Sequence, residues 1–322
     1  MSAKTYYMIA VYALVIIVAL LSMLIFLPLT ITDLFEGFFI TPFTNSAMRE
    51  TFFFIFAIFV CTSLAALIPF RSGDYNIGGE GQLLVGALTG AFASGVLHMG
   101  AIAILFLSAV GGLVWALISA ILEVKLKMDI VVTTLLTNFI AIRIVDYFIS
   151  YPPLEDPTTE LEISVLLPAR IPVYSAVGVC VALLFFSYFL IVKSRWGYET
   201  RLQGGNPSAA KLAGVNSQKL TLGNMCIGGA IAGLGGGMLI TGVIVALNPD
   251  SGFLLGYIGL LGAFMAKLKP HFVVLSSFLI ALFWIGGRAL HVVGGISMSI
   301  SLFLIAALII ATLLTEIIGR VL

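Results

Sequence analysis

Charge is scarce in this chain of 322 residues: Asp, Glu, Lys and Arg together account for 10% of it, whereas 61% is hydrophobic. Soluble domains carry about 25% charged residues, and a soluble core of this size cannot bury so much apolar surface. The mean hydropathy of +1.16 therefore predicts that lipid surrounds the chain. A formal net charge of only +1 argues against a nucleic-acid polymer as a partner.

Cysteine and histidine are also scarce, with three of each. Cys61, Cys180 and Cys226 lie far apart within apolar runs. Their spacing indicates neither a disulfide framework nor a paired-cysteine metal site. The histidines are equally scattered, so we expect no metal and no cofactor.

Motifs for enzymatic chemistry are missing from the sequence. No Gly-x-x-x-x-Gly-Lys-Ser/Thr loop occurs, so the chain does not bind ATP through a P-loop of its own. There is no His-Glu-x-x-His zinc motif. Residues 71–74 lack the first glycine of a Gly-x-Gly-Asp intramembrane protease, and residues 92–95 lack the glycine of a Gly-x-Ser-Gly site. We therefore expect a non-enzymatic chain.

Long apolar runs dominate the sequence instead, and a helix of about 20 apolar residues crosses a bilayer. Hydropathy predicts ten spans, near residues 6–29, 51–70, 77–98, 100–122, 129–150, 171–193, 219–246, 253–266, 270–288 and 295–318. No small-x-small cleavage site follows the first run, which predicts a retained helix rather than a signal peptide. The prediction is an all-α polytopic membrane protein with a single transmembrane domain over residues 1–322.

Basic residues predict the orientation, because cytoplasmic loops carry an excess of Lys and Arg. With the N-terminus inside, twelve Lys and Arg residues fall on the cytoplasmic side and three on the outside. Both termini are then cytoplasmic, and the acidic loop 151–170 lies outside. Trp196 and Tyr198 fit an aromatic belt at the cytoplasmic interface.

Two of the spans are irregular. Glycines and polar residues interrupt segment 71–90, and span 253–266 is too short to cross about 30 Å of hydrocarbon. Each break begins with Ser-Gly, at Ser72-Gly73 and at Ser251-Gly252, and leads into a Leu-Leu run. The predicted topology puts the two breaks on opposite sides. Paired broken helices of this kind are typical of an inverted repeat around a transport path.

Polar residues near the two breaks and on the fifth span are the candidates for that path. Thr134 and Asn138 lie one helical turn apart and suit hydroxyls or base edges, with Thr137 beside them. The proposed lining consists of Asn76, Glu80, Gln82, Thr134, Asn138 and Asn248. Intramembrane polar groups are functional by default. Hydrogen bonding between helices is the alternative interpretation and stays open.

Two further patterns indicate packing rather than chemistry. Gly229, Gly233 and Gly237 form a small-residue ridge that brings helices into close contact. Arg143 and Asp146, spaced i,i+3, suit an ion pair. An ion-coupled secondary transporter is the alternative class of function, with Glu80 or this pair as the ion-binding group.

A short capped helix favours an ATP-driven importer over an ion-coupled secondary transporter. Asn206 suits the N-cap, Pro207 suits the first helical position, and Gly214 suits a left-handed C-terminal cap. A rigid polar helix between two spans indicates a soluble docking partner, which in an ATP-driven importer is the ATPase. The predicted coupling segment consists of Asn206, Pro207, Ser208, Ala209, Ala210, Lys211, Leu212, Ala213 and Gly214.

Four motifs together carry a family resemblance: residues 76–82, 129–141, 204–215 and 228–237. With them the chain resembles the permease subunit of a branched-chain amino acid/ribose-type ABC importer, in the nucleoside (basic membrane lipoprotein-linked) branch, over about residues 50–315. Asp129-Ile130 replaces the usual Glu, and Leu136-Thr137-Asn138 replaces a Met-containing run.

The resemblance implies a location and a set of partners. The location is the bacterial cytoplasmic (inner) membrane. The partners are a cytoplasmic ATPase seated on the coupling segment, a second permease (paralogous or identical) and an external substrate-binding lipoprotein. The implied solute is a nucleoside, with riboflavin or a simple ribose-like sugar as alternatives.

Overall fold

The computed structural model describes residues 30–158, 162–249, 251–252, 254–294, 297 and 299–321, with five isolated positions between 15 and 24. The predicted first span, 6–29, therefore lies outside the continuously described residues. In the described part the structure is helical, with one isolated antiparallel bridge between Glu155 and Ser164. Helices suit these apolar runs because each helix satisfies its own backbone polar groups where lipid offers none.

The helices follow one another along the chain, and the longest connection between them is residues 151–172. They are α1 (Ile31–Phe35), α2 (Ser46–Phe70), α3 (Gly79–Ala91), α4 (Ala101–Leu126), α5 (Ile130–Ser150), α6 (Val173–Tyr188), α7 (Arg195–Gly205), α8 (Pro207–Leu212), α9 (Ser217–Met238), α10 (Leu255–Met265), α11 (Pro270–Gly294) and α12 (Ser299–Val321). A π-helical turn extends α1, α3, α6 and α9 by five residues each. A short α-helical turn, Thr41–Thr44, lies between the extended α1 and α2.

Six helical segments of the described chain are long and apolar enough to cross a membrane: Ser46–Phe70, Ala101–Leu126, Ile130–Ser150, Val173–Lys193, Ser217–Val243 and Pro270–Val292. Leu255–Met265 and Ser299–Thr315 are shorter apolar helices. The all-α polytopic prediction is thus confirmed, whereas ten spans, the repeat and cytoplasmic termini stay predictions.

The predicted interruption before α3 is present at residues 71–78. The backbone N–H groups of Ser72 and Asp74 both donate to the Pro69 carbonyl, at 3.0 and 3.1 Å, which turns the chain at the end of α2. Gly73 follows this turn with a positive φ of 90°, a conformation that glycine adopts without steric cost. We call residues 71–78 the α2–α3 loop.

The chain divides into two compact units, and the larger one runs from Phe53 to Ser277. Its core is α9 packed against α3 and α4. An added Cβ on Gly233 would lie 2.2 Å from the Ser108 carbonyl oxygen, and one on Gly229 would lie 2.5 Å from that of Gly112. An added Cβ on Gly237 of α9 would lie 2.9 Å from the Cβ of Ser108 in α4. The glycine ridge of α9 therefore allows backbone-to-backbone contact with α4.

The smaller unit comprises Met1–Phe52 and Phe278–Leu322. Its described contacts center on Phe38, whose ring lies edge-on to Phe283 with the centroids 5.6 Å apart. Gly286 leaves room for the Phe38 ring, and Gly287 leaves room for Ser301 of α12. Small residues on α11 thus accept neighbouring side chains on two faces.

Candidate functional site

The carboxylate of Glu80, in the first turn of α3, caps the start of α10. Its Oε1 accepts a hydrogen bond from the backbone N–H of Leu254 at 2.8 Å. Its Oε2 accepts from Gly256 at 2.6 Å and from Tyr257 at 3.3 Å. The first N–H groups of a helix lack partners within the helix and attract negative charge. Glu80 therefore supplies a cap that the local sequence of α10 does not.

The starts of α3 and α10 also touch through their backbones. An added Cβ on Gly256 would lie 2.3 Å from the backbone nitrogen of Glu80. Leu254, just before α10, has a positive φ of 64°, which is uncommon for a residue with a Cβ. The bond from its N–H to Glu80 helps to hold this conformation.

Asn138 of α5 joins the same two helix starts. Its Oδ1 accepts from the backbone N–H of Gly81 at 2.8 Å. Its Nδ2 donates to the Ile77 carbonyl at 2.9 Å and to the Tyr257 hydroxyl at 3.0 Å. The side chain is fully buried. One amide thus links α5, the α2–α3 loop, α3 and α10.

The side-chain amides of Asn76, just before α3, and Gln82, in its first turns, hydrogen-bond each other. Asn76 Nδ2 donates to Gln82 Oε1 at 3.3 Å, and Gln82 Nε2 donates back to Asn76 Oδ1 at 3.1 Å. The hydroxyl of Thr134 accepts from the Ile77 N–H at 3.2 Å and donates to the Ile130 carbonyl at 2.6 Å. These bonds hold the α2–α3 loop against α3 and α5.

Five of the six predicted path residues therefore converge on one place, where α3 and α10 begin. Asn248, the sixth, is exposed in the connection that precedes α10. Its N–H donates to the Ser251 hydroxyl at 2.8 Å, and its Oδ1 accepts from that hydroxyl at 3.1 Å. Sequence reasoning missed Tyr257, since a tyrosine in an apolar run carries no signal that it meets Asn138.

A cavity of about 180 Å³ borders Glu80. It is lined by Glu80, Leu84, Ile142, Val145, Asp146, Pro249 and Ser251. Arg143 pairs with Asp146 at 3.0 Å, as the i,i+3 spacing predicts. Pockets for small molecules usually measure about 300–1,000 Å³, so this cavity is smaller than such a pocket.

The predicted capped helix is present as α8. The helix itself is Pro207–Leu212, with Asn206 as its N-cap and Ala213 as its C-cap. Asn206 Oδ1 accepts from the Ala209 N–H at 3.0 Å. Gly214 has a positive φ of 76°, and its N–H donates to the Lys211 carbonyl at 3.1 Å. Both ends of α8 are therefore capped, and Asn206 also ends α7.

The exposed face of α8 includes one large apolar side chain. Leu212 is 90% exposed, whereas Ala210 is fully buried. The exposed basic side chains of residues 193–219, the stretch of chain that contains α8, are Lys193, Arg195, Lys211 and Lys219. Arg195 Nε lies 2.8 Å from Glu199 Oε1, so the charges of these two side chains offset each other. Leu212 is therefore an apolar side chain that α8 leaves open to contact.

Residues 48–313 match the model of the family described as "Branched-chain amino acid transport system / permease component". The chain belongs to this family. The matched range agrees with the 50–315 over which the four motifs predict the resemblance.

The names of the relatives of this permease refer to different solutes. It is 32% identical to the glucose ABC transporter permease protein TsgB13 of Haloferax volcanii, over 80% of this chain and 73% of that one. It is also 32% identical to the guanosine ABC transporter permease protein NupP of Bacillus subtilis, over 78% and 76%. The probable riboflavin import permease protein RfuC of Treponema pallidum is 25% identical, over 84% and 76%.

A solved structure shares the fold of the permease. PsaBC from Streptococcus pneumoniae in complex with Fab aligns with a TM-score of 0.52, covering 90% of this chain and 95% of that chain. The two are 11% identical, so the likeness concerns the fold alone. Family membership and the six apolar helices together make the permease a multi-pass membrane transport protein.

Proposed function

We propose that this chain is the transmembrane subunit of an ATP-binding cassette importer in the bacterial cytoplasmic membrane. It moves a nucleoside-like solute inward, and a partner subunit hydrolyses the ATP. The observation that carries the proposal is α8, a doubly capped helix that exposes Leu212 in a chain of this permease family. An ion-coupled carrier has no need of such a helix.

The ATPase docks on α8 and its surroundings. Leu212 fills an apolar pocket of the ATPase, and acidic side chains at the rim of that pocket meet Lys193, Lys211 and Lys219. Charge complementarity of this kind speeds association and fixes the register of the two surfaces. A buried apolar anchor with a polar rim is the usual design of a protein interface.

The solute path opens where α3 and α10 begin. In the described conformation, the polar atoms of Glu80 and Asn138 are bonded to α10 and to the α2–α3 loop. Separating the two helix starts would free these groups for the hydroxyls and base of a nucleoside. The meeting of two broken helices at one carboxylate also supports the inverted repeat. The ten spans and cytoplasmic termini that the sequence predicts are part of the same proposal.

A nucleoside is the first choice of solute, and a simple sugar is the second. The 129–141 motif, with Thr134 and Asn138, and the guanosine permease relative support the nucleoside. The glucose permease relative has the same 32% identity and supports the sugar. Riboflavin is the third candidate, and an external lipoprotein delivers whichever solute is transported.

One reconstitution tests this function. The permease, the ATPase and the substrate-binding protein encoded beside it are placed in liposomes, and uptake of tritiated guanosine is followed with and without ATP. We expect ATP-dependent uptake that unlabelled guanosine reduces and glucose does not. Competition by glucose or riboflavin alone would reassign the solute. Uptake driven by a proton or sodium gradient without ATP would contradict the importer.

A further inference from the structure

A buried polar network joins three elements next to the coupling segment, and none of its members belongs to the candidate path. The elements are the α2–α3 loop, α7 and α9. The network consists of Ser72, Asp74, Trp196, Thr200, Thr221 and Asn224.

Asn224 of α9 is the centre of this network. Its Nδ2 donates to the hydroxyl of Ser72 at 3.0 Å and approaches that of Thr200 at 3.4 Å. Its Oδ1 accepts from the indole N–H of Trp196 at 2.7 Å. The Asn224 side chain is fully buried. A single amide therefore bonds α7 on one side and the α2–α3 loop on the other.

Asp74 fastens the same loop to α9 a second time. Its Oδ2 accepts from the Ser72 hydroxyl at 2.7 Å, and its Oδ1 accepts from the Thr221 hydroxyl at 3.1 Å. Hydrogen bonds are directional, so a buried network whose members are all bonded favours one arrangement of the elements that it joins.

Backbone contacts leave α7 little freedom against these partners. An added Cβ on Gly204 would lie 2.3 Å from the Arg71 carbonyl oxygen, and one on Gly223 would lie 2.3 Å from the Trp196 ring. The end of α7 therefore touches the α2–α3 loop directly, and the Trp196 ring lies flush on α9. Movement of α7 relative to the loop requires these contacts and the bonds of Asn224 to break.

The network lies between the coupling segment and the starts of α3 and α10. On one side, α7 continues into α8 through the single residue Asn206. On the other side, the loop is held to α3 by the Asn76–Gln82 pair, and Glu80 of α3 caps α10. We propose that Asn224 is a positioning residue that transmits movement of the docked α8 to the two helix starts, an inference that rests on the proposed function.

The test measures how many solute molecules enter for each ATP hydrolysed. Trp196→Phe removes the indole N–H donor together with the far edge of the ring that packs on Gly223, and Asn224→Leu removes all bonds of the amide at similar volume. The matched control is Ser119→Ala, which removes a buried hydrogen bond between α4 and α5 (Ser119 to Thr137, 3.2 Å) outside the network.

Each variant is reconstituted with the ATPase and binding protein. Uptake of tritiated guanosine and phosphate release are measured in the same vesicles, with labelled glucose or riboflavin used instead if that is what the wild type transports. We expect the uptake per ATP to fall about fivefold or more in Trp196→Phe and Asn224→Leu, since coupling between sites amounts to about 5- to 150-fold. The ATPase should still co-purify with both, and Ser119→Ala should keep the wild-type ratio.

Two results would overturn the proposal. The first is a wild-type ratio of uptake to ATP in both network variants, and the second is an equal fall in Ser119→Ala, which would assign the effect to general packing. The wild type is measured first. ATP-independent uptake by the wild type would contradict the proposed function itself and the role of Asn224 with it, whereas an unchanged ratio in the variants leaves the importer intact.

Discussion

At the residue scale, the two broken helices depend on a few buried polar side chains. Glu80 supplies the N-terminal cap of α10, and Asn138 bonds both the loop before α3 and Tyr257 of α10. Irregular backbone at membrane depth has no water to bond. These side chains therefore stabilise the contact between the two helix starts and, in the proposed function, meet the solute when the helix starts separate.

Asn138→Ala should lower both stability and uptake. The substitution leaves the Gly81 N–H and the Ile77 carbonyl without their partner, which costs about 1–3 kcal/mol for each buried group. The apparent melting temperature in detergent and guanosine uptake measure the two effects. Thr89→Val, which removes a bond between α3 and α4, is the control. Normal uptake by a destabilised Asn138→Ala would mean that this residue only holds helices together.

Asp74→Asn should change the pH dependence of stability. Burial raises the pKa of the Asp74 carboxyl above its ordinary value of 3.8, although hydrogen bonds from Ser72 and Thr221 partly oppose the shift. A carboxyl whose pKa is raised in the folded state stabilises the fold most when it is protonated. Its full contribution is present below pH 3.8, the ordinary pKa, and is lost as the pH rises through the pKa of the folded state.

Melting temperatures of the wild type and Asp74→Asn between about pH 4 and 7 check this prediction. The variant has no carboxyl to ionise, so its advantage over the wild type should grow as the pH rises and then level off. An advantage that shrinks with rising pH would show the opposite shift.

At the element scale, the described part of the permease combines close helix packing with one helix that faces outward. The ridge of α9 packs on α4 through glycine, and α8 exposes Leu212. The two elements differ in what their positions allow. The glycine ridge of α9 has no room for a side chain, whereas the coupling segment presents an exposed one.

Gly233→Ala should destabilise the permease by about 1–3 kcal/mol, as overpacking does. The new Cβ would lie 2.2 Å from the Ser108 carbonyl, a backbone atom that cannot rotate away. Gly178→Ala on α6 is the control, because nothing lies within 4 Å of its added Cβ. Thermal unfolding in detergent should separate the two, and equal melting temperatures would argue against the close contact of α9 and α4.

Leu212→Asp should prevent binding of the ATPase without unfolding the permease. The side chain is 90% exposed, so its loss affects a partner rather than the fold, and anchors of this kind contribute about 2 kcal/mol or more to binding. Co-purification of the ATPase with the tagged permease measures the effect. Leu166→Asp, at a 69% exposed leucine on the loop predicted to lie outside, should bind the ATPase normally. Full binding by Leu212→Asp would place the docking surface elsewhere.

At the scale of the whole molecule, the question is which second permease completes the importer. The family resemblance implies a paralogous or an identical one, and a paralogous one is the prediction. Mass spectrometry of the tagged complex should recover a second permease in equal amount. Recovery of this chain and the ATPase alone would indicate a homodimer.

One residue of the predicted aromatic belt makes contacts that the sequence does not predict. The indole N–H of Trp196 bonds Asn224, and its ring packs on Gly223. Neighbouring residues of Trp196 carry no sign of this, because the partner lies 28 positions along the chain.

The sequence by itself determined the all-helical fold class, the caps of α8 and the family. Apolar runs, the Asn206-Pro207 start and the Gly214 end of α8 are local patterns, and the glycine ridge repeats within one helix, so each can be read without knowing its neighbours. Tertiary structure alone decided what the polar residues meet. Glu80 lies 176 positions from Gly256, and Asn224 lies 152 positions from Ser72. The groups that Glu80 bonds are backbone N–H groups, which every residue except proline carries, so no side-chain pattern could have identified them.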